Sequence, residues 1–141
     1  MSSGTAVAIA ITFVWVGMVA GIAFIEAPLK FRAPNVTLQI GLGIGRLVFR
    51  ALNTVEGIFA GLLAILVIVS PPRPLVIAAF AVALAMLVVQ LAVVRPRLNK
   101  RSDRVLAGYD GPRSRVHYVY VALELIKLTA LLTAGALLLA G

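Results

Sequence analysis

Four long apolar segments limit the fold of this chain more than any other feature of its sequence. They cover about residues 5–26, 49–70, 75–95 and 116–140, and prolines and charged residues separate them. A run of roughly 20 apolar residues can cross a bilayer as an α-helix, in which the backbone polar groups bond to one another. The sequence therefore predicts one integral membrane domain over residues 1–141, an all-α bundle of four transmembrane helices.

The composition agrees with a membrane protein. Hydrophobic residues make up 62% of the chain and charged residues only 13%, about half the charged share of a soluble domain. Cysteine is absent, which excludes disulfides, thiolate metal ligands and thiol catalysis. The first ten residues contain no Lys or Arg, unlike the start of a secretory signal peptide, so we expect the first span to be retained.

The distribution of basic residues predicts the orientation of the spans. Eleven of the 13 Lys and Arg residues lie in or beside two loops, at about 27–48 and 96–115. Arg73 alone follows the second span, and the chain termini carry no Lys or Arg. Because these residues accumulate in cytoplasmic loops, both loops are predicted to be cytoplasmic and both termini to lie on the non-cytoplasmic side of the cell membrane.

The net charge of +8 has the same explanation and does not indicate nucleic-acid binding. A nucleic-acid surface would combine its basic residues with interleaved aromatic ones, and the loops show no such pattern. Anionic lipid headgroups in the bilayer are the expected partners of the basic loops.

Charged and amide side chains interrupt the apolar spans. Glu124 and Lys127 lie one helical turn apart in the fourth span, and Glu56 lies in the second. Ionisable groups at such depth are expensive and persist where they pair or face a polar cavity. The predicted orientation places these charged and amide groups, with His117, in the cytoplasmic half. These candidate site residues are Glu26, Asn53, Glu56, Gln90, His117, Glu124 and Lys127.

Two interpretations of these polar residues stay open. In the first, they line a cytoplasm-facing cavity that binds or transports a small solute, an ion or a proton. In the second, they form a structural ion-pair network, since Glu124 and Lys127 can satisfy each other at i,i+3. The functional interpretation is preferred because intramembrane ionisable residues mark functional sites. Glu56 has no basic neighbour at helical spacing deeper in its own span and therefore needs Lys127, a proton, water or a ligand.

No cofactor or metal can be assigned from the sequence. A carboxylate-bridged di-metal site would need Glu-x-x-His pairs on two helices, but the only histidine, His117, lies seven residues before Glu124. A single ion held by three Glu and His117, or a haem at His117, stays a weaker alternative. The sequence shows neither a serine–histidine–acid set nor a phosphate-binding loop motif, so a non-enzymatic role is preferred.

Two local patterns concern packing and helix ends. Gly17 and Gly21 lie four residues apart, a spacing that lets a second helix approach closely. Packing inside the chain is preferred over a dimerisation face, because a four-span bundle must first pack itself. Pro28 and Pro34 disfavour a continuous helix after the first span, whereas Gly108 is the expected stop of a helix that extends the third.

Two short stretches carry a family resemblance. Gly17 and Gly21 are followed by the sequence AP at 27–28 and by Phe31, and GRLVF at 45–49 opens the second span. Together they resemble small four-span membrane proteins grouped under a domain of unknown function. Glu26 and the long basic loop depart from that family's pattern. The resemblance implies a four-span fold and a membrane location, and it implies nothing about a substrate.

The sequence thus leaves two function classes. The preferred one is a small membrane protein that binds or transports a solute, an ion or a proton, alone or as a homo-oligomer. The alternative is a non-catalytic subunit or assembly partner of a larger membrane complex, whose basic loops dock onto acidic protein or lipid.

Overall fold

The structure, a computed structural model, describes residues 1–108 and 115–141 and is all-α, with no strand among those residues. Four long helices make up the fold, and each is long and apolar enough to cross a membrane. The predicted all-α bundle of membrane-length helices is therefore confirmed. Residues 109–114, which belong to the second predicted basic loop, lie outside the described residues. The helices are α1 (Ser3–Lys30), α2 (Leu38–Val69), α3 (Pro74–Leu106) and α4 (Arg115–Leu139).

The helices alternate in direction, which gives the bundle two ends. At the terminal end, which holds both chain termini and residues 70–73, Arg73 Nη2 donates to the Leu137 carbonyl oxygen at 2.6 Å. At the basic end, which holds the loop between α1 and α2 and the end of α3, Arg46 Nη1 lies 2.5 Å from Asp103 Oδ1. Helix α4 packs against α1 and α3, while α2 packs on α1 and, at the basic end, on the last part of α3.

Close contact between α1 and α4 depends on a glycine. A Cβ atom at Gly135 would lie 2.7 Å from Cζ of Phe13, so any larger residue requires the Phe13 ring to move. At Gly17 and at Gly21, a Cβ atom would meet nothing within 4 Å. The predicted internal packing at Gly17 and Gly21 is therefore wrong, because these two positions face away from the other described helices.

Helices α1 and α3 each continue through a proline by widening into a π-helical turn. These turns occupy Gly21–Glu26 and Gln90–Val94, shortly before Pro28 and Pro96. Proline lacks an N–H group, and its ring clashes with the carbonyl group four residues earlier. A π-helical turn admits the extra residue that relieves this clash. The prediction that Pro28 interrupts the helix is therefore wrong.

The helix ends follow from local sequence. The Ser2 hydroxyl oxygen accepts a hydrogen bond from the Thr5 backbone N–H at 3.0 Å, and Thr37 caps α2 in the same way. Pro34 lies in the break between α1 and α2, where proline is tolerated. Gly108 has a φ of 102°, a backbone conformation that favours glycine, and it stops α3 as predicted.

Candidate functional site

The ammonium group of Lys127 lies at the centre of the polar site. Its side chain has 0% exposure. Nζ donates hydrogen bonds to Glu56 Oε1 on α2 and to Gln90 Oε1 on α3, the latter at 2.9 Å. Glu124 Oε1, one turn away on α4, lies 2.6 Å from the same nitrogen. One lysine thus links three helices.

Helix α1 joins the site through Trp15, the only tryptophan in the chain. Its indole Nε1 donates to Glu56 Oε1 at 2.9 Å, and only 2% of the residue is exposed. Its place in the middle of the first span, away from an interfacial aromatic belt, predicts that Trp15 points into the bundle, and its burial confirms this. The sequence gave no partner for the indole N–H. A buried indole N–H needs an acceptor. This requirement is the sequence signal that could have placed Trp15 beside a buried carboxylate. We call Trp15, Glu56, Gln90, Glu124 and Lys127 the charge cluster.

Gln90 enters the charge cluster where α3 changes its winding. The π-helical turn Gln90–Val94 begins at this residue, and such a turn shifts the face on which the following side chains lie. Gln90 uses both ends of its amide, because its Oε1 accepts from Lys127 while its Nε2 lies 3.5 Å from the Tyr120 carbonyl oxygen. Gln90 is 1% exposed, so the amide ties α3 to α4 inside the bundle.

The charge cluster contains two carboxylates but one ammonium group. Glu56 and Glu124 are 0% and 1% exposed, and a buried charge is costly unless it is paired and hydrogen-bonded. Glu124 Oε1 is within ion-pair distance of Lys127 but lacks hydrogen-bond geometry. Neither Glu124 oxygen, nor Glu56 Oε2, accepts a hydrogen bond from the described residues. The cluster therefore has one negative charge more than its own lysine neutralises.

The other three predicted site residues lie outside the charge cluster. Asn53 lies about one turn from Glu56 and lines a pocket at the basic end. Glu26 Oε2 lies 3.8 Å from Lys30 Nζ on its own helix, and the ring of His117 lies edge-on to that of the neighbouring tyrosine. The structure thus brings four of the seven together, and those four are Glu56, Gln90, Glu124 and Lys127.

Within residues 1–108 and 115–141, no set of side chains is arranged to bind a metal ion. No three His, Asp or Glu side chains of these residues come close enough to hold an ion. The single-ion alternative, which combined three glutamates with His117, is therefore not assembled in the described part of the chain.

Fold and site together define a class of protein. It is an all-α protein whose four membrane-length helices surround a buried polar cluster with unequal numbers of positive and negative charges. Comparisons with protein-family models, with curated proteins and with solved structures found no match. The resemblance to four-span proteins with a domain of unknown function thus gains no support from a family match.

Proposed function

We propose that this is a small multi-pass membrane protein that binds and transports a monovalent cation at the charge cluster. The preferred cation is a proton. The observation that carries the proposal is that Glu56 and Glu124 share the single ammonium group of Lys127. Two like charges 4 Å apart repel by about 4 kcal/mol at an effective dielectric constant near 20. Uptake of one positive charge removes this imbalance.

The packing favours a proton over a larger solute. Glu56, Gln90, Glu124 and Lys127 are at most 1% exposed, and Lys127 Nζ already contacts one oxygen of each carboxylate. A proton requires no cavity, because it binds directly to a carboxylate oxygen. Glu56 Oε2 and the two Glu124 oxygens are the proposed proton acceptors, since they accept no hydrogen bond from the described residues.

We place the basic end on the cytoplasmic side of the cell membrane, because Lys and Arg accumulate there. In this orientation Asn53 and its pocket lie between the cytoplasm and the charge cluster. Toward the terminal end, α4 buries only apolar side chains beyond the cluster, among them Leu131, Ala134 and Leu138. Because the charge cluster is at most 2% exposed, binding from the cytoplasmic side requires side chains at the basic end to move. Transport also requires the helices to separate at the terminal end.

A flux measurement on the purified chain in liposomes tests transport. A pH-sensitive dye is trapped inside, and a potassium gradient with valinomycin imposes a membrane potential. We expect wild-type liposomes to acidify faster than protein-free ones, and Glu56→Gln to lose most of this difference. Glu26→Gln makes the same chemical change outside the charge cluster and should keep the flux. Equal proton flux in wild type and Glu56→Gln would overturn transport through the cluster.

The fluorescence of Trp15 tests binding separately from transport. Because its indole bonds to Glu56, its emission in detergent should change with pH in wild type and Glu26→Gln but not in Glu56→Gln. A response to Na⁺ or K⁺ at fixed pH would identify a metal cation as the bound species. An emission insensitive to pH and to both salts, in a chain that purifies only with a second protein, would instead support the alternative of a non-catalytic subunit.

A further inference from the structure

A second polar site lies at the basic end, between α2 and the last part of α3. It is a pocket of about 320 Å³, roughly ten times the ~30 Å³ that one molecule occupies in liquid water. Arginine and asparagine dominate its walls, and no acidic side chain lines it among the described residues. Its polar lining includes Arg46, Arg50, Asn53, Arg95 and Asn99.

Arg95 is held in place by two aromatic rings. Its Cζ lies 4.9 Å from the centroid of the Phe49 ring and 4.7 Å from that of Tyr120, distances typical of cation–π contacts. The two contacts order the guanidinium group, whose N–H edge is a planar hydrogen-bond donor. Nε and Nη2, which form one side of that edge, are buried and make no hydrogen bond with the described residues.

A buried donor without an acceptor is costly, so the free edge of Arg95 indicates a ligand. Two neighbouring N–H groups of a guanidinium form a planar fork that matches two oxygens of a phosphate or carboxylate. A fixed arginine loses less side-chain freedom when it binds than a mobile one does, because the rings have already ordered it.

The other two arginines differ in how far they are neutralised. Arg46 lies 2.5 Å from Asp103 on α3, which offsets much of its charge. The side chain of Arg50 is exposed and makes no ion pair or hydrogen bond within the described ranges. The pocket therefore keeps the positive charges of Arg50, which is exposed, and of Arg95, which is partly buried.

We propose that this pocket binds a phosphate group, carried by an anionic lipid headgroup or supplied as free phosphate. Arg95 forms the bidentate contact, Arg50 adds a second charge, and the amides of Asn53 and Asn99 add neutral donors. Basic pockets between membrane helices suit phosphate-bearing headgroups, and this one lies where α2 and α3 leave their apolar spans. The proposal does not depend on cation binding at the charge cluster.

Thermal unfolding in an uncharged detergent tests the proposal and separates the two sources of phosphate. Phosphatidylglycerol should raise the Tm of the wild type, while the zwitterionic phosphatidylcholine should not. A comparable rise with inorganic phosphate identifies a site open to free phosphate, and a rise with phosphatidylglycerol alone identifies a headgroup site. Both results support a phosphate pocket.

Matched arginine variants locate the effect. Arg50→Gln and Arg95→Gln should each lose at least half of the Tm shift. Arg97→Gln removes the same charge two residues after Arg95 but outside the pocket, and it should keep the shift. Because the Arg50 side chain is exposed, Arg50→Gln tests the proposal even where Arg95→Gln prevents folding. No shift in the wild type, or equal shifts in wild type, Arg50→Gln and Arg97→Gln, would overturn it.

Discussion

Replacing Lys127 by methionine should destabilise the protein more than replacing any charged side chain outside the charge cluster. The substitution removes hydrogen bonds to Glu56 and Gln90 and the ion pair with Glu124. Each hydrogen bond to a charged group contributes roughly 1.5–3 kcal/mol, and breaking a buried ion pair costs about 3–5 kcal/mol. We therefore expect Lys127→Met to lower the free energy of unfolding by about 3–5 kcal/mol.

Neutralising the carboxylates should restore stability stepwise. Lys127→Met with Glu124→Gln leaves Glu56 charged, and Lys127→Met with Glu56→Gln leaves Glu124 charged, so each double variant should recover part of the loss. The triple variant leaves no charge in the cluster and should be the most stable of the three. Glutamine at position 56 still accepts the Trp15 N–H, so the triple variant keeps one native contact of the cluster.

Equilibrium unfolding in mixed micelles provides the measurement, and Lys100→Met provides the control. Lys100 is exposed at the basic end, and its replacement alters the net charge by the same amount. If Lys127→Met is no more destabilised than Lys100→Met, or the triple variant no more stable than Lys127→Met, the cluster is not held together by these charges.

Two further predictions concern topology and packing. A reporter active only outside the cytoplasm should work when fused after Gly141 and fail near Ser102, since the basic loops are predicted to be cytoplasmic; the opposite result would reverse the orientation. Gly135→Leu should destabilise the protein by about 1–3 kcal/mol through overpacking against Phe13, whereas Gly17→Leu should leave the unfolding midpoint unchanged. Equal effects of the two glycine substitutions on unfolding would contradict the packing described for α1 and α4.

The sequence predicted those features that depend on a single helix. The number of helices followed from the length of the apolar segments, because a bilayer sets that length. The proximity of Glu124 and Lys127 followed from their spacing, because residues three apart lie on the same helix face. The Gly108 stop followed for a similar reason, since the tendency of glycine toward positive φ is a local property.

Features that depend on how helices are rotated against one another could not be predicted. The sequence showed that Gly17 and Gly21 share a face, but only the packing shows that this face points away from the other described helices. The sequence left Lys127 as one of several candidate partners of Glu56, and only the packing shows that Lys127 bonds to both Glu56 and Gln90. The π-helical turns were missed because the rule that proline breaks helices takes no account of local widening.

Infrared spectroscopy of carboxyl groups tests the central claim most directly, because a protonated carboxyl group absorbs at a different frequency from a carboxylate. The proposal predicts one protonated carboxyl group per charge cluster in the wild type at neutral pH. Glu56→Gln and Glu124→Gln should each abolish this band, since either variant leaves one carboxylate for one lysine, while Glu26→Gln should retain it. A wild-type spectrum without the band, or a band that survives both cluster substitutions, would contradict proton binding at this site.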